Sequence, residues 1–159
     1  MDQILEIIRA SLFSITNPRF YETERGYRGE LGGEIRNKLP LLALDGAIVE
    51  QEYQKRMKDH GFRIRPDIII HVPFERSIYT SREEGNFVVI ELKHQGTEKE
   101  ALADYESLSR MCEVLGYPLG VFINIDSDET YLGNYHGPVK ERLRSFGVRL
   151  KGGQVVITE

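Results

Sequence analysis

The run Phe87-Val88-Val89-Ile90-Glu91-Leu92-Lys93 opens with four consecutive apolar residues and closes with two charges on either side of a leucine. Consecutive apolar positions suit a central strand buried on both faces, since each side then meets core rather than water. Side chains on a strand alternate faces, so Glu91 and Lys93 project to one side, roughly 6–7 Å apart, and Leu92 enters the core on the other. The two charges therefore stand at the polar end of an otherwise apolar strand.

Working upstream, residues 64–72 and 47–53 are further runs rich in Ile, Val and aromatics that read as strands, and Pro66-Asp67 sits near the start of the nearer one. If the strands at 64–72 and 87–92 are antiparallel neighbours, Asp67 lies beside Glu91 and two carboxylates converge. Downstream, Ala101, Tyr105, Leu108, Cys112 and Leu115 form one apolar stripe at helical spacing over 98–115, and Gly116 follows, the residue type favoured just past a helix end. Another apolar strand covers 119–125. A strand–helix–strand unit over 87–125 implies a parallel pairing there.

The remaining elements flank this unit. Ile4, Leu5, Ile8 and Leu12 recur at helical spacing until Asn17-Pro18, and Thr23-Glu24 opens a second helix carrying Leu31, Ile35 and Leu39 up to Pro40. The C-terminal part reads as a short helix over 139–146, then a hairpin turning at Gly152-Gly153 between 148–150 and 155–157. With 159 residues, 40% hydrophobic and 29% charged, the chain is expected to form one soluble globular domain over 1–159.

The longest apolar runs are too short for a bilayer, and the N-terminus carries no export pattern, so no membrane association is expected. Cys112 is the single cysteine, which excludes an intrachain disulfide and fits a reducing, cytoplasmic setting. The formal charge of −4 argues against a protein that coats nucleic acid non-specifically. Basic residues nevertheless gather between 53 and 82, at Lys55, Arg56, Lys58, Arg63, Arg65, Arg76 and Arg82, where a local positive surface is expected.

Converging carboxylates are hard oxygen donors. They suit Mg2+, which prefers octahedral geometry and keeps several of its waters, with Asp67 and Glu91 as ligands and the Leu92 carbonyl as a third protein oxygen. Phosphodiester hydrolysis needs a polarised phosphoryl group, a deprotonated water in line with it and relief of charge on the leaving oxygen. Lys93, adjacent to the ion, is placed to orient that water and stabilise its hydroxide form.

Pro66-Asp67 followed by Glu91-Leu92-Lys93 on strand-like runs resembles the PD-(D/E)XK nuclease superfamily. The resemblance covers about residues 24–125. It implies an α/β, restriction-endonuclease-like α-β-β-β-α-β core with a mixed central sheet flanked by helices, here followed by the C-terminal helix and β-hairpin. It also implies a Mg2+-dependent nuclease in which Mn2+ substitutes, acting on nucleic acid with DNA favoured over RNA. The family often adds an acid from the first core helix, for which Glu30 is the choice and Glu34, four residues on, the alternative. A polar residue from the helix after the Glu-x-Lys strand commonly assists, and Lys99, Asp104 or Tyr105 is in place for that. Glu52 is assigned a supporting rather than an ion-binding role.

Blander uses of the same residues are a solvated strand face carrying an ion pair at Glu91 and Lys93, a turn-forming Pro-Asp, and a surface acid at Glu30. A non-catalytic module that keeps the fold to bind nucleic acid or protein is the second functional class, and a two-fold dimer is compatible with a chain this small. His60, His71 and His136 show no ligand spacing. His94 is read as a loop or core residue and Cys112 as core. The loop 126–129 lacks the glycine and final glutamate of a calcium loop and is read as a solvated acidic turn.

Overall fold

In the computed structural model, which describes residues 1–52, 65–74 and 84–159, one six-stranded sheet carries helices on both faces. The helices are α1 (Asp2–Ser14), α2 (Glu24–Lys38) and α3 (Glu98–Val114). The strands are β1 (Ile48–Gln51), β2 (Ile68–His71), β3 (Asn86–His94), β4 (Leu119–Ile125), β5 (Leu143–Lys151) and β6 (Gln154–Thr158), paired in sequence order. Tyr53, Ile64, His60 and six of the seven clustered basic residues, all but Arg65, lie outside the described residues.

β1, β2 and β3 pair antiparallel, β3, β4 and β5 pair parallel, and β5–β6 is an antiparallel hairpin. Among the described residues, the order and pairing from α2 through β4 are those of an α-β-β-β-α-β core with a mixed sheet. Among the described residues no helix is long and apolar enough to cross a membrane.

Two apolar layers explain the sandwich. Ile68, Ile70, Val88, Ile90, Leu92, Val121 and Ile123 face α1 and α2, where Ile8, Leu12, Tyr27, Leu31 and Ile35 meet them. Ile69, Val89 and Phe122 face α3, where Ala101, Tyr105, Leu108 and Cys112 meet them. β3 thus spends both faces in core, as its unbroken apolar run requires. Burial pushes the Cys112 thiol up to about 11, as expected of a core cysteine.

The starts of α2 and α3 are set by side-chain caps. Thr23 accepts from the Gly26 N–H at 3.1 Å to open α2, and Thr97 with Glu100 forms a reciprocal capping box at the start of α3. Only three residues, 95–97, separate the end of β3 from the start of α3, which brings the first turns of α3 over the polar end of that strand.

One expectation fails. The short helix expected over 139–146 does not form: a single 3-10 turn at Lys140–Arg142 leads straight into β5, which begins at Leu143. The reason is tertiary. Gly120 to Ile125 of β4 offer an open edge that Leu143 to Val148 fill in parallel register, and Leu143 enters the α3-side core while Phe146 and Val148 enter the other. Ladder bonds and burial on two faces outweigh a helical preference worth tenths of a kcal/mol per residue.

Candidate active site

The antiparallel register Ile68↔Ile90 and Ile69↔Val89, continued by one residue, sets Asp67 opposite Glu91. The Leu92 N–H donates to Asp67 Oδ2 at 2.8 Å, and the Glu52 N–H donates to the Asp67 carbonyl at 3.0 Å, so the residue is pinned through both backbone and side chain. Asp67 is 8% exposed and Glu91 9%. Burial, the Asp67 charge, the Asp104 charge and a hydrogen bond with Asp67 hold the Glu91 carboxyl well above the usual glutamate range, with Lys93 opposing them. Asp67, for its part, has a guanidinium partner.

That partner is Arg28 of α2, whose Nη1 donates to Asp67 Oδ1 at 2.6 Å while Nη2 donates to Glu52 Oε1 at 2.5 Å. Arg65 pairs with the other Glu52 oxygen. Glu52 itself sits at φ 51°, in the left-handed region, where β1 ends. Its carboxylate thus contacts both Arg28 and Arg65.

Lys93 projects from the same face as Glu91. Its Nζ lies 3.2 Å from Asp104 Oδ2 of α3 and 3.4 Å from the Leu92 carbonyl. Lys93 and Asp104 thus form an ion pair across β3 and α3. Burial pulls the Lys93 ammonium down, but the charges of Asp104, Glu24 and Glu91 together outweigh it and raise it above the ordinary lysine value. Asp104 is raised by burial, against the pull of Lys93, with Asp67 adding to the rise.

The turn after Lys93 is held by Asn124, the buried residue beside Lys93 on β4, whose side chain accepts from the Gly96 N–H at 2.8 Å and donates to the Gly96 carbonyl at 3.1 Å. A Cβ on Gly96 would come within 2.7 Å of Lys93 Cβ, so a glycine is what lets the chain turn against the lysine stem.

The structure thus gathers Asp67, Glu91 and Lys93, and adds Arg28, Asp104 and Glu24. Glu24 is raised by burial and then by Asp67, and it also feels Lys93, Arg28 and Asp104, so it is the α2 acid that faces the cluster. Glu30 is not brought there. It lies about 200° around the helix from Arg28 at 100° per residue, half-exposed on another face. Glu34, the alternative, pairs with Lys38. Helical phase alone separates these from Glu24, which shares a face with Arg28 four residues on, a pairing visible in the sequence once α2 is known to cross the strand ends.

Of the residues proposed on α3, Asp104 faces the site and Lys99 is exposed beside an outer groove with Glu98, Leu102 and Glu106. Tyr105 is fully buried between Phe122 and Tyr135. His94 turns away from Lys93 toward the Tyr21 carbonyl, 2.8 Å from Nε2. The loop 126–129 binds its own neighbours, Asp128 meeting Arg149 and Lys151.

Among the described residues no three acids or imidazoles cluster closely enough to hold an ion by themselves. Two carboxylates and the Leu92 carbonyl, completed by water, still match the donor set of Mg2+, which retains several waters in protein sites.

Glu91→Gln probes the raised Glu91 carboxyl. Because the folded-state value of Glu91 is raised above its unfolded one near 4.5, its contribution to stability is whole below that pH and is lost as pH rises from there through the raised value. Without divalent ions, the parent melting temperature is expected to fall relative to Glu91→Gln over that rise. Parallel melting profiles in the two would refute a strained Glu91 carboxyl.

No protein-family model matches this chain, and no curated protein matches it. Among solved structures, Pyrococcus furiosus SfsA, determined in complex with Ca2+, is similar at 15% identity with a TM-score of 0.42, over 82% of this chain and 61% of that one. The chain therefore spans less than two thirds of the length of that structure.

Proposed function

We propose that this domain is a metal-dependent nuclease that hydrolyses phosphodiester bonds, in DNA rather than RNA, with Mg2+ or Mn2+ held by Asp67, Glu91 and the Leu92 carbonyl. The observation that carries the reading is the adjacency of Asp67 and Glu91 at the rim of the sheet, with the Lys93 ammonium on the same face. Bound there, the ion would supply Lewis-acid polarisation of the phosphoryl oxygens and charge relief at the leaving oxygen.

The chain's own groups do the rest. Asp67 and Glu91 would hold the ion, and the Leu92 N–H keeps Asp67 Oδ2 oriented. Lys93, kept protonated by Asp104, orients the attacking water and lowers the cost of its hydroxide form. Asp104 is a positioning residue for Lys93.

A second reading, a binding module of the same fold without catalysis, is favoured by one observation: Arg28 already neutralises Asp67. Incubation of the protein with supercoiled, linear, single-stranded and branched DNA, and with RNA, in millimolar Mg2+ or Mn2+ separates the two. Cleavage that is lost in chelator and in Asp67→Asn is expected. Retained binding with no cleavage of any substrate selects the module, and cleavage equal in Asp67→Asn assigns the activity elsewhere.

A further inference from the structure

Arg28 is an unusual member of a site meant for a cation. Its side chain is 12% exposed, and it spans two acids, Asp67 at 2.6 Å and Glu52 at 2.5 Å. Asp67 does not depend on it for its place, because the Leu92 N–H holds Oδ2 and the Glu52 N–H holds the Asp67 backbone. What Arg28 supplies is charge on Oδ1. Among the described residues the cluster holds the acids Glu24, Glu52, Asp67, Glu91 and Asp104 against the bases Arg28, Arg65 and Lys93, so its ionised form carries two surplus negative charges, the number that a divalent ion cancels.

We infer that Arg28 is the resident counter-cation of Asp67 and competes with a divalent ion for Oδ1, with Glu52 as the anchor it withdraws to. The inference rests on the reading of Asp67 as an ion ligand but requires no cleavage. Two cations on one carboxylate oxygen repel in a site where water is largely excluded, so the guanidinium must leave Oδ1 for an ion to take it. Glu52 makes that withdrawal inexpensive, since one Arg28–carboxylate bond is already formed there. The empty-handed state of Asp67 is thereby avoided on either side of the exchange.

The test is Mn2+ binding to the full chain, followed by the paramagnetic resonance signal of free Mn2+ and by calorimetry at one pH. Arg28→Met removes the competitor, and Arg65→Met removes a nearby charge that touches Glu52 but not Asp67. Affinity is expected to tighten on the order of tenfold or more in Arg28→Met and by about twofold at most in Arg65→Met. The gain should vanish in Arg28→Met/Asp67→Asn. Should Arg28→Met lose its folded circular dichroism spectrum, Arg28→Gln takes its place, neutral but still able to bond Glu52.

Unchanged, weaker or undetectable Mn2+ binding on loss of Arg28, or an equal gain in Arg65→Met, overturns the competition. Tightened Mn2+ binding in a protein that cleaves nothing would leave Arg28 as assigned and remove the nuclease reading instead.

Discussion

Lys93→Ala is expected to lower nucleic-acid cleavage by on the order of a hundredfold or more while Mn2+ still binds, because the ammonium is assigned to the water and the phosphate rather than to the ion. Its surroundings sharpen the test. Lys93 Nζ lies 3.2 Å from a buried Asp104 oxygen, so the substitution also strands a carboxylate and should cost stability independently of chemistry. Lys93→Ala/Asp104→Asn relieves that stranded charge. Recovery of melting temperature without recovery of cleavage is the expected outcome of the double variant. Cleavage at the parent rate in either protein would reduce Lys93 to an ion-pair partner of α3. Glu91→Ala, by contrast, should lose ion binding and cleavage together.

Tyr105→Ala is expected to destabilise the fold by about 3–5 kcal/mol, as large-to-small changes at buried aromatics do. The ring is fully buried, with centroids 5.1 Å from Phe122 and 5.5 Å from Tyr135, and the hydroxyl donates to the Thr130 carbonyl at 2.5 Å. Burial raises its pKa, which keeps the phenol neutral. Tyr105→Phe should lose only about 1 kcal/mol, the net worth of one hydrogen bond. Denaturant unfolding measures both. If Tyr105→Phe cut cleavage as deeply as Lys93→Ala at unchanged stability, the hydroxyl would belong to the site and its assignment to the core would be withdrawn.

The same contrast runs through the whole chain. Periodicity by itself determined α1, α2, α3, the buried strands and the terminal hairpin, because each of these buries a face whose pattern is local: Ala101, Tyr105, Leu108 and Cys112 can share a face only as a helix, and Val88 to Ile90 fit only a strand with core on both sides. Alternation along β3 likewise put Glu91 and Lys93 on one face, and the antiparallel register placed Asp67 against them.

Only the tertiary structure decided which helix residues complete the cluster. Glu24, Arg28 and Asp104 meet Asp67 and Lys93 because α2 and α3 start over the strand ends, and the choice of Glu24 over Glu30 or Glu34 is one of helical phase relative to a sheet that the sequence does not orient. β5 makes the same point from the other side. Lys140 to Arg144 are helix formers by local preference, yet from Leu143 onward the chain is a strand because β4 presented an unpaired edge and two core layers had room for Leu143 and Phe146. Local sequence dictates structure where burial is periodic, and contact between distant segments dictates it where charge must find its counter-charge or a backbone edge its partner.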